Sequence, residues 1–300
     1  MNKICVLLST YNGEKYLEEQ LESVVNQEGV EVEILVRDDG STDDTCAILE
    51  RWQTCGKLKW YKDRNLGFAL SFIDLIVQAP ECDYYAFCDQ DDIWHSDKLK
   101  RASDTLDKIE NPVKLYCSNV NYYKDGEVYG AIHQKVPYYD KYTCLIRNIA
   151  PGCSMVFSRT LKELIVSAPP KKIIAHDFWI FQLAVLMGTA VYDLEPSMLY
   201  RQHENNQIGQ KGSICEKTKR RVKSLSSSKS RHEREEQAKE LIRCHFDDIA
   251  DDTTRSIILN IAEYRTSFRH KMNILFNGRY KMDTIKNTCY LKARILFNIL

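Results

Sequence analysis

Three hundred residues, 44% of them hydrophobic and 10% aromatic, suit one large globular domain or a domain with an appendage. The formal net charge is zero, but residues 1–200 carry 21 Lys/Arg against 30 Asp/Glu and residues 201–300 carry 21 against 12, an acidic front (−9) and a basic back (+9). Eleven scattered cysteines without a Cys-x-x-Cys pair or metal-ligand spacing argue against a disulfide frame, and no apolar run approaches the ~18 residues of a spanning helix. Met1-Asn2-Lys3 leads straight into an apolar strand with no signal-peptide pattern, so the expectation is a cytoplasmic protein whose membrane contact is at most peripheral.

Ile4–Leu8 is a short apolar run of the kind a buried parallel strand shows. It breaks at Ser9-Thr10-Tyr11-Asn12-Gly13, and a helix follows with Tyr16, Leu17, Leu21, Val24 and Val25 on one face. Val32–Val36 is a second strand, ending in Asp38-Asp39-Gly40-Ser41-Thr42-Asp43 and another helix. Leu58–Tyr61 reads as a third strand, followed by a helix around Phe68–Val77, and Tyr84–Cys88 reads as a fourth, ending in Asp89-Gln90-Asp91-Asp92. Alternating strands and helices imply parallel pairing with right-handed crossovers. Ligands in such sheets sit beyond the carboxyl ends of the strands, where all three polar clusters fall.

After Lys114–Cys117 the pattern loosens, then resumes with a helix around Asp177–Met187 and a strand at Ala190–Tyr192. Residues 211–243 are polar and basic, with Lys217–Arg221 and the low-complexity Ser224–Ser230, and read as a linker or mobile helix. The last sixty residues are helical in pattern. The expected division is 1–210 for the catalytic domain and 211–300 for a basic helical region.

Asp89-x-Asp91 at a strand end places two carboxylates where a hard cation, Mg²⁺ or Mn²⁺, could bridge them to phosphate oxygens. A solvated acidic turn would look the same. A carboxylate in Asp38-Asp39 could meet a nucleobase or a ribose hydroxyl, while Gly40 and Ser41 or Thr42 make the turn and cap the next helix. Asp177 suits a general base or a helix N-cap. Arg201-x-His203 offers a cation for a diphosphate and a metal ligand, or an ordinary surface pair.

In order, Ser9–Gly13, Asp38–Asp43, Asn65-x-Gly67 and Asp89–Asp92 resemble the family 2 inverting glycosyltransferases, which have the GT-A fold. Phe87–Trp94, His176-Asp177-Phe178-Trp179 and Tyr200-Arg201-Gln202-His203 with Asn206 and Gly209 resemble its bacterial rhamnosyltransferase-like branch. The resemblance spans about residues 3–210 and implies an α/β, mostly parallel nucleotide-binding sheet flanked by helices. It implies that Thr10, Tyr11, Asn12, Asp38, Asp39 and Asn65 hold the donor, that Asp89 approaches the ribose, and that Arg201 steadies the diphosphate. Asp91, with His203, would bind the metal, Asp177 would be the base, and Trp179 a platform for a sugar ring or simply a core residue. Much of the wider family has Glu where His176 stands, which leaves open what assists Asp177.

The implied reaction moves rhamnose or another hexose from a dTDP- or UDP-linked donor to a hydroxyl of a glycan or lipid-linked acceptor, in bacterial lipopolysaccharide, capsule or exopolysaccharide synthesis. A sugar-phosphate nucleotidyltransferase would carry a Gly-rich, Arg-containing loop where Ser9–Gly13 stands, and an inactive binding module would not need Asp89, Asp91 and Asp177 intact. The basic run lacks the interleaved aromatics of a nucleic-acid site. The basic C-terminal third either meets an anionic membrane or answers the charge of the catalytic domain.

Overall fold

The computed structural model describes residues 1–203 and 232–300. Asn206, Gly209, the basic run 217–221, the serine tract 224–230 and the expected division at residue 210 lie outside the described residues. The chain forms two compact units. The first comprises Met1–Pro137, Asn148–Pro170 and Ala175–Arg201, and the second Tyr138–Arg147, Lys171–Ile174 and Gln202–Leu300.

The first unit is built on nine strands: β1 (Lys3–Thr10), β2 (Glu31–Asp38), β3 (Lys59–Lys62), β4 (Tyr84–Cys88), β5 (Ile93–Trp94), β6 (Lys114–Lys124), β7 (Glu127–Ala131), β8 (Met155–Ser158) and β9 (Thr189–Arg201). Their order in the sheet is β3-β2-β1-β4-β8-β6-β9-β5, with β7 pairing β6. The first four strands pair in parallel, as their alternation with helices requires. Beyond β4 the sheet becomes mixed: β8 runs antiparallel to β4 and β6, and β9 runs parallel to β6 but antiparallel to β5.

The helices are α1 (Leu17–Val25), α2 (Thr45–Thr54), α3 (Gly67–Gln78), α4 (Lys98–Asp107), α5 (Arg159–Ser167) and α6 (His176–Met187). Because side chains alternate along a strand, β4, buried throughout, and β1, buried from Ile4 to Leu8, feed two cores. Ile4, Val6, Leu8, Ala86 and Cys88 pack with Leu17, Leu21 and Val24 of α1 and Leu99 and Ala102 of α4. Phe87 points the other way, edge-on to Phe72 of α3 at 5.2 Å and 4.7 Å from the His176 ring of α6. In register, Thr10 lies opposite Asp38 and Leu8 opposite Cys88, so the carboxyl ends of β1, β2 and β4 share one edge of the sheet.

The second unit contains α7 (Glu233–His245), α8 (Asp252–Glu263), α9 (Phe268–Phe276) and α10 (Ile285–Leu296). Asp251, Ser267 and Thr284 cap the last three, each side chain accepting from a first-turn N–H. Ile257, Ile258, Ile261, Tyr264, Ile274, Tyr280, Leu291 and Ile295 are buried.

Candidate active site

Three turns at the carboxyl edge carry the expected site residues, and they differ in how their side chains are engaged. After β2, the Asp38 carboxylate accepts from the Thr10 hydroxyl (3.1 Å), from the Ser41 hydroxyl and from the N–H groups of Gly40 (3.2 Å) and Ser41 (2.9 Å). Asp38 is fully buried, and these donors occupy its lone pairs, so it shapes the turn instead of facing a nucleoside. Thr10 is buried against it. Asp39 accepts from Arg37 (3.0 Å) and from the N–H groups of Leu66 and Gly67 (both 2.9 Å), which ties the 63–67 loop to β2. Arg37 is itself fully buried, pairs with Asp74 at 3.0 Å and Asp63 at 3.4 Å, and went unnoticed in the sequence because it lies inside an apolar strand. Neither Ser41 nor Thr42 caps the next helix, whose N-cap is Asp44.

The β1 turn is locked to the β2 turn. Asn12, at φ 49°, accepts from Thr42 N–H at 2.9 Å and donates its own N–H to Ser41 Oγ at 2.8 Å. Asn65 Oδ1 accepts from Gly67 N–H at 3.0 Å. Tyr11 is 51% exposed, and its ring is the open aromatic surface of this turn.

Gln90, which the sequence reading passed over between two aspartates, joins the β1 and β4 turns. Its Oε1 accepts from Tyr11 N–H (2.9 Å) and its Nε2 donates to Tyr11 O (3.2 Å). The same amide lies against Gly13, where a Cβ would overlap Gln90 Oε1.

The β4 turn is different. Ligand atoms of Asp89, Asp92 and Cys153 lie within 4.8 Å of one another, the one such group among the described residues. Asp92 is 1% exposed; its Oδ1 accepts from Arg201 N–H at 3.1 Å, and its Oδ2 has no hydrogen-bond partner. Burial, then the charge of Asp91, raises the Asp89 carboxyl to about 7, and Asp177 adds to the effect. Burial raises Asp92 well above the carboxylate range, with Asp91 and Asp89 contributing, and it pushes the Cys153 thiol up, so Cys153 is a neutral thiol. Behind the turn the buried Lys98 donates to Cys153 O (2.8 Å) and Ser197 Oγ (3.3 Å), and burial lowers its amine to about 8. The structure thus draws Asp92 into the carboxylate group, while Asp91, the expected metal ligand, stands at its half-exposed rim.

Arg201 braces this turn: Nε donates to Asp91 O at 2.9 Å, Nη2 pairs with Glu19, and the guanidinium lies 4.6 Å from the Tyr16 ring centroid and 5.2 Å from that of Tyr123. With only 13% of its side chain exposed, it holds the acidic turn. His203 lies two residues past β9, in the second unit, and is not among the three grouped ligands.

Asp177 is half-exposed at the second helical position of α6; the N-cap is Ala175, so the capping reading does not hold. Its carboxyl accepts from Phe178 N–H at 2.7 Å. Burial raises it to about 6, against the lowering effect of the Phe178, Gly152 and Asp177 N–H groups and the Asn148 side chain. These are the groups that assist Asp177. His176 does not: it is buried, stacked on Phe72 at 3.9 Å, and burial lowers its imidazole to about 3, so it is neutral. Gly152 is required here, because a Cβ would overlap the His176 ring and lie 3.3 Å from Asp177 Cβ. Asn148, Gly152 and Cys153 were missed in the sequence; the Pro151-Gly152 turn dipeptide was the available signal. Trp179 is fully buried, so its indole offers no face to a sugar and packs in the core.

A sheet edge carrying a half-open aromatic, a group of crowded carboxylates and a separate carboxyl raised toward neutrality has the composition of a candidate active site. The family model "Glycosyl transferase family 2" matches residues 5–165. A dTDP-rhamnosyl transferase of Shigella flexneri, RfbG, is 35% identical over 231 residues, covering 71% of this chain and 77% of its own length. The poly(ribitol-phosphate) β-N-acetylglucosaminyltransferase TarS of Staphylococcus aureus is 33% identical over 118 residues, 38% of this chain and 21% of that protein. The crystal structure of S. aureus TarS 1–349 with UDP-GlcNAc superposes with a TM-score of 0.56 at 18% identity, covering 90% of this chain and 83% of that one, a likeness of fold. The chain belongs to glycosyl transferase family 2 and is a nucleotide-sugar glycosyltransferase of the GT-A fold.

Proposed function

We propose that the chain transfers rhamnose from a dTDP-linked donor to a hydroxyl of a glycan or lipid-linked acceptor during bacterial surface-polysaccharide assembly. The donor sugar rests on the likeness to the Shigella rhamnosyltransferase over most of both chains. The reaction type rests on one observation above all: the Gly152-Cys153 turn lies against Asp177, a Gly152 Cβ falling 3.3 Å from Asp177 Cβ, and sets Cys153 within 4.8 Å of the Asp89 and Asp92 carboxylates, so the acidic turn and the proton acceptor flank one short segment.

A divalent cation, Mg²⁺ or Mn²⁺, suits the acidic turn because Asp92 Oδ2 is buried without a hydrogen-bond partner and several carboxylates crowd together there. Asp89, Asp91 and Asp92 would hold it, whereas the protonated Cys153 is a poor ligand for a hard ion. Bound there, it would set positive charge against the diphosphate of the donor. Tyr11 offers its ring to the base, with the Asp39 turn beneath it. Asp177, oriented by Asn148 and the α6 N–H groups, takes the proton of the acceptor hydroxyl as the sugar is attacked on its opposite face. No covalent enzyme intermediate is needed, so the anomeric configuration inverts.

Calorimetric titration with dTDP-rhamnose, UDP-N-acetylglucosamine and GDP-mannose, each with Mg²⁺ or Mn²⁺ and with chelator, tests the reading. The expected result is binding of dTDP-rhamnose at least about tenfold tighter than the others, a difference of ~1.4 kcal/mol, lost in chelator. Tighter binding of a UDP-sugar, or affinity unchanged by chelator, overturns the donor or the metal assignment respectively.

A further inference from the structure

The antiparallel pair α9–α10 of the second unit carries an apolar surface that its own core does not use. Lys271, near the start of α9, donates to Leu296 O (2.9 Å) and Asn298 Oδ1 (3.0 Å) at the end of α10, and Lys292 donates back to Asn277 O (3.2 Å). The inner side of the pair buries Ile274, Leu291 and Ile295. Facing outward are Phe268 (77% exposed), Phe276 (82%), Ile285 (85%) and Phe297 (70%). At 100° per residue, Ile285, Cys289 and Leu296 fall within about 40° of one another around α10, with Lys292 beside them, a stripe turned roughly 120° from the buried Leu291 and Ile295. An ordinary solvated helix face carries polar side chains there. This one repeats the apolar choice of the core.

The charge around the stripe identifies what it meets. From Phe268 to Leu300 there are seven Lys or Arg and one acidic residue, Asp283, a net of +6; Lys271, Lys292 and Arg294 donate to backbone carbonyls, while Arg269, Arg279, Lys281 and Lys286 are exposed. A second copy would bring +6 against +6, and exposed Ile and Leu have no counterpart on a phosphate backbone. Large apolar side chains flanked by cations match a bilayer surface, where the rings enter the headgroup boundary and the cations meet anionic lipid. We propose that the α9–α10 face is a docking surface for an anionic phospholipid membrane. It stands apart from the donor assignment, because the test below uses no substrate.

The full chain is sedimented with vesicles of phosphatidylcholine alone or with about 30% phosphatidylglycerol, at low and high salt. Binding to the anionic vesicles only, weakened by salt, is expected. Phe268→Ser/Ile285→Ser/Phe297→Ser should weaken it at least about tenfold, since each large apolar side chain contributes substantially to partition. Arg269→Glu/Lys286→Glu should weaken it roughly fivefold or more per residue. These side chains are exposed, and unchanged circular dichroism and nucleotide binding certify the fold of each variant. No binding to anionic vesicles at low salt overturns the proposal, as does binding that the apolar variant leaves intact. Self-association lost in that variant, without vesicle binding, would assign the face to a second copy instead.

Discussion

The turns after β2 and β4 both set aspartates at the end of a parallel strand, two in the first and three in the second, yet they differ in what surrounds the carboxylates. In the β2 turn every carboxylate oxygen has a donor: Asp38 is met by Thr10, Ser41 and two N–H groups, Asp39 by Arg37 and two more. In the β4 turn Asp92 Oδ2 is buried with no hydrogen-bond partner, Asp89 is raised to about 7, and the one buried cation nearby, Lys98, is lowered to about 8. Acidic turns therefore divide by satisfaction. A saturated one is architecture, and an unsaturated one stores electrostatic stress that a cationic ligand relieves.

Asp177→Asn tests the functional side of this contrast and carries the largest effect. Transfer should fall at least ~10²-fold while nucleotide affinity stays within about twofold, read from turnover and calorimetry. Turnover near wild type would remove the general base from the reading. On the structural side, Arg37→Ala should cost about 3–5 kcal/mol in chemical denaturation, because Asp39 and Asp74 lose a fully buried partner. Loss under 1 kcal/mol would mean that the β2 turn does not depend on its saturation.

The pH dependence sharpens the comparison further. The carboxyl of Asp177 must be ionised to accept a proton, so kcat/KM should rise about tenfold per unit below its value of about 6 and level off above it. A flat profile between pH 5 and 7 would contradict this. The smallest effect is on stability. A carboxyl raised to about 7 stabilises the folded state below its unfolded value near 3.8, and that contribution is lost as pH rises through about 7. Asp89→Asn should therefore be more stable than wild type at pH 8 in chelator, by about 1 kcal/mol, with the gain shrinking toward pH 4. Asp38→Asn should show the opposite sign, because its carboxylate satisfies several donors.

The first four strands and the three polar turns were legible because buried parallel strands are continuous apolar runs and their ends must turn polar. Strand β8 was not, since three apolar residues shortly after a Pro-Gly turn fit a helix or a strand equally well. Strand β9 read as three residues instead of thirteen because Pro196 and a shift of register break its pattern. At the site, Asp89, Asp91 and Asp177 stood out by residue type and place. What spacing does not encode is which oxygen already has a donor, so Asp38 looked like a ligand-binding residue and Asp92 did not. Asn148, Gly152 and Gln90 act through hydrogen bonds across more than twenty residues of sequence, which leave no periodic trace.

The Gln90 amide spans the ends of β1 and β4 as one more rung of a ladder would. Those strands are already neighbours, so the backbones that lead into Tyr11 and into the acidic turn are held at the spacing of adjacent strands, about 4.8 Å. Two walls of the crevice are consequently one rigid piece before any donor arrives, and binding there loses little freedom of the chain. Whatever opens to release the spent nucleotide must do so without parting these two strands.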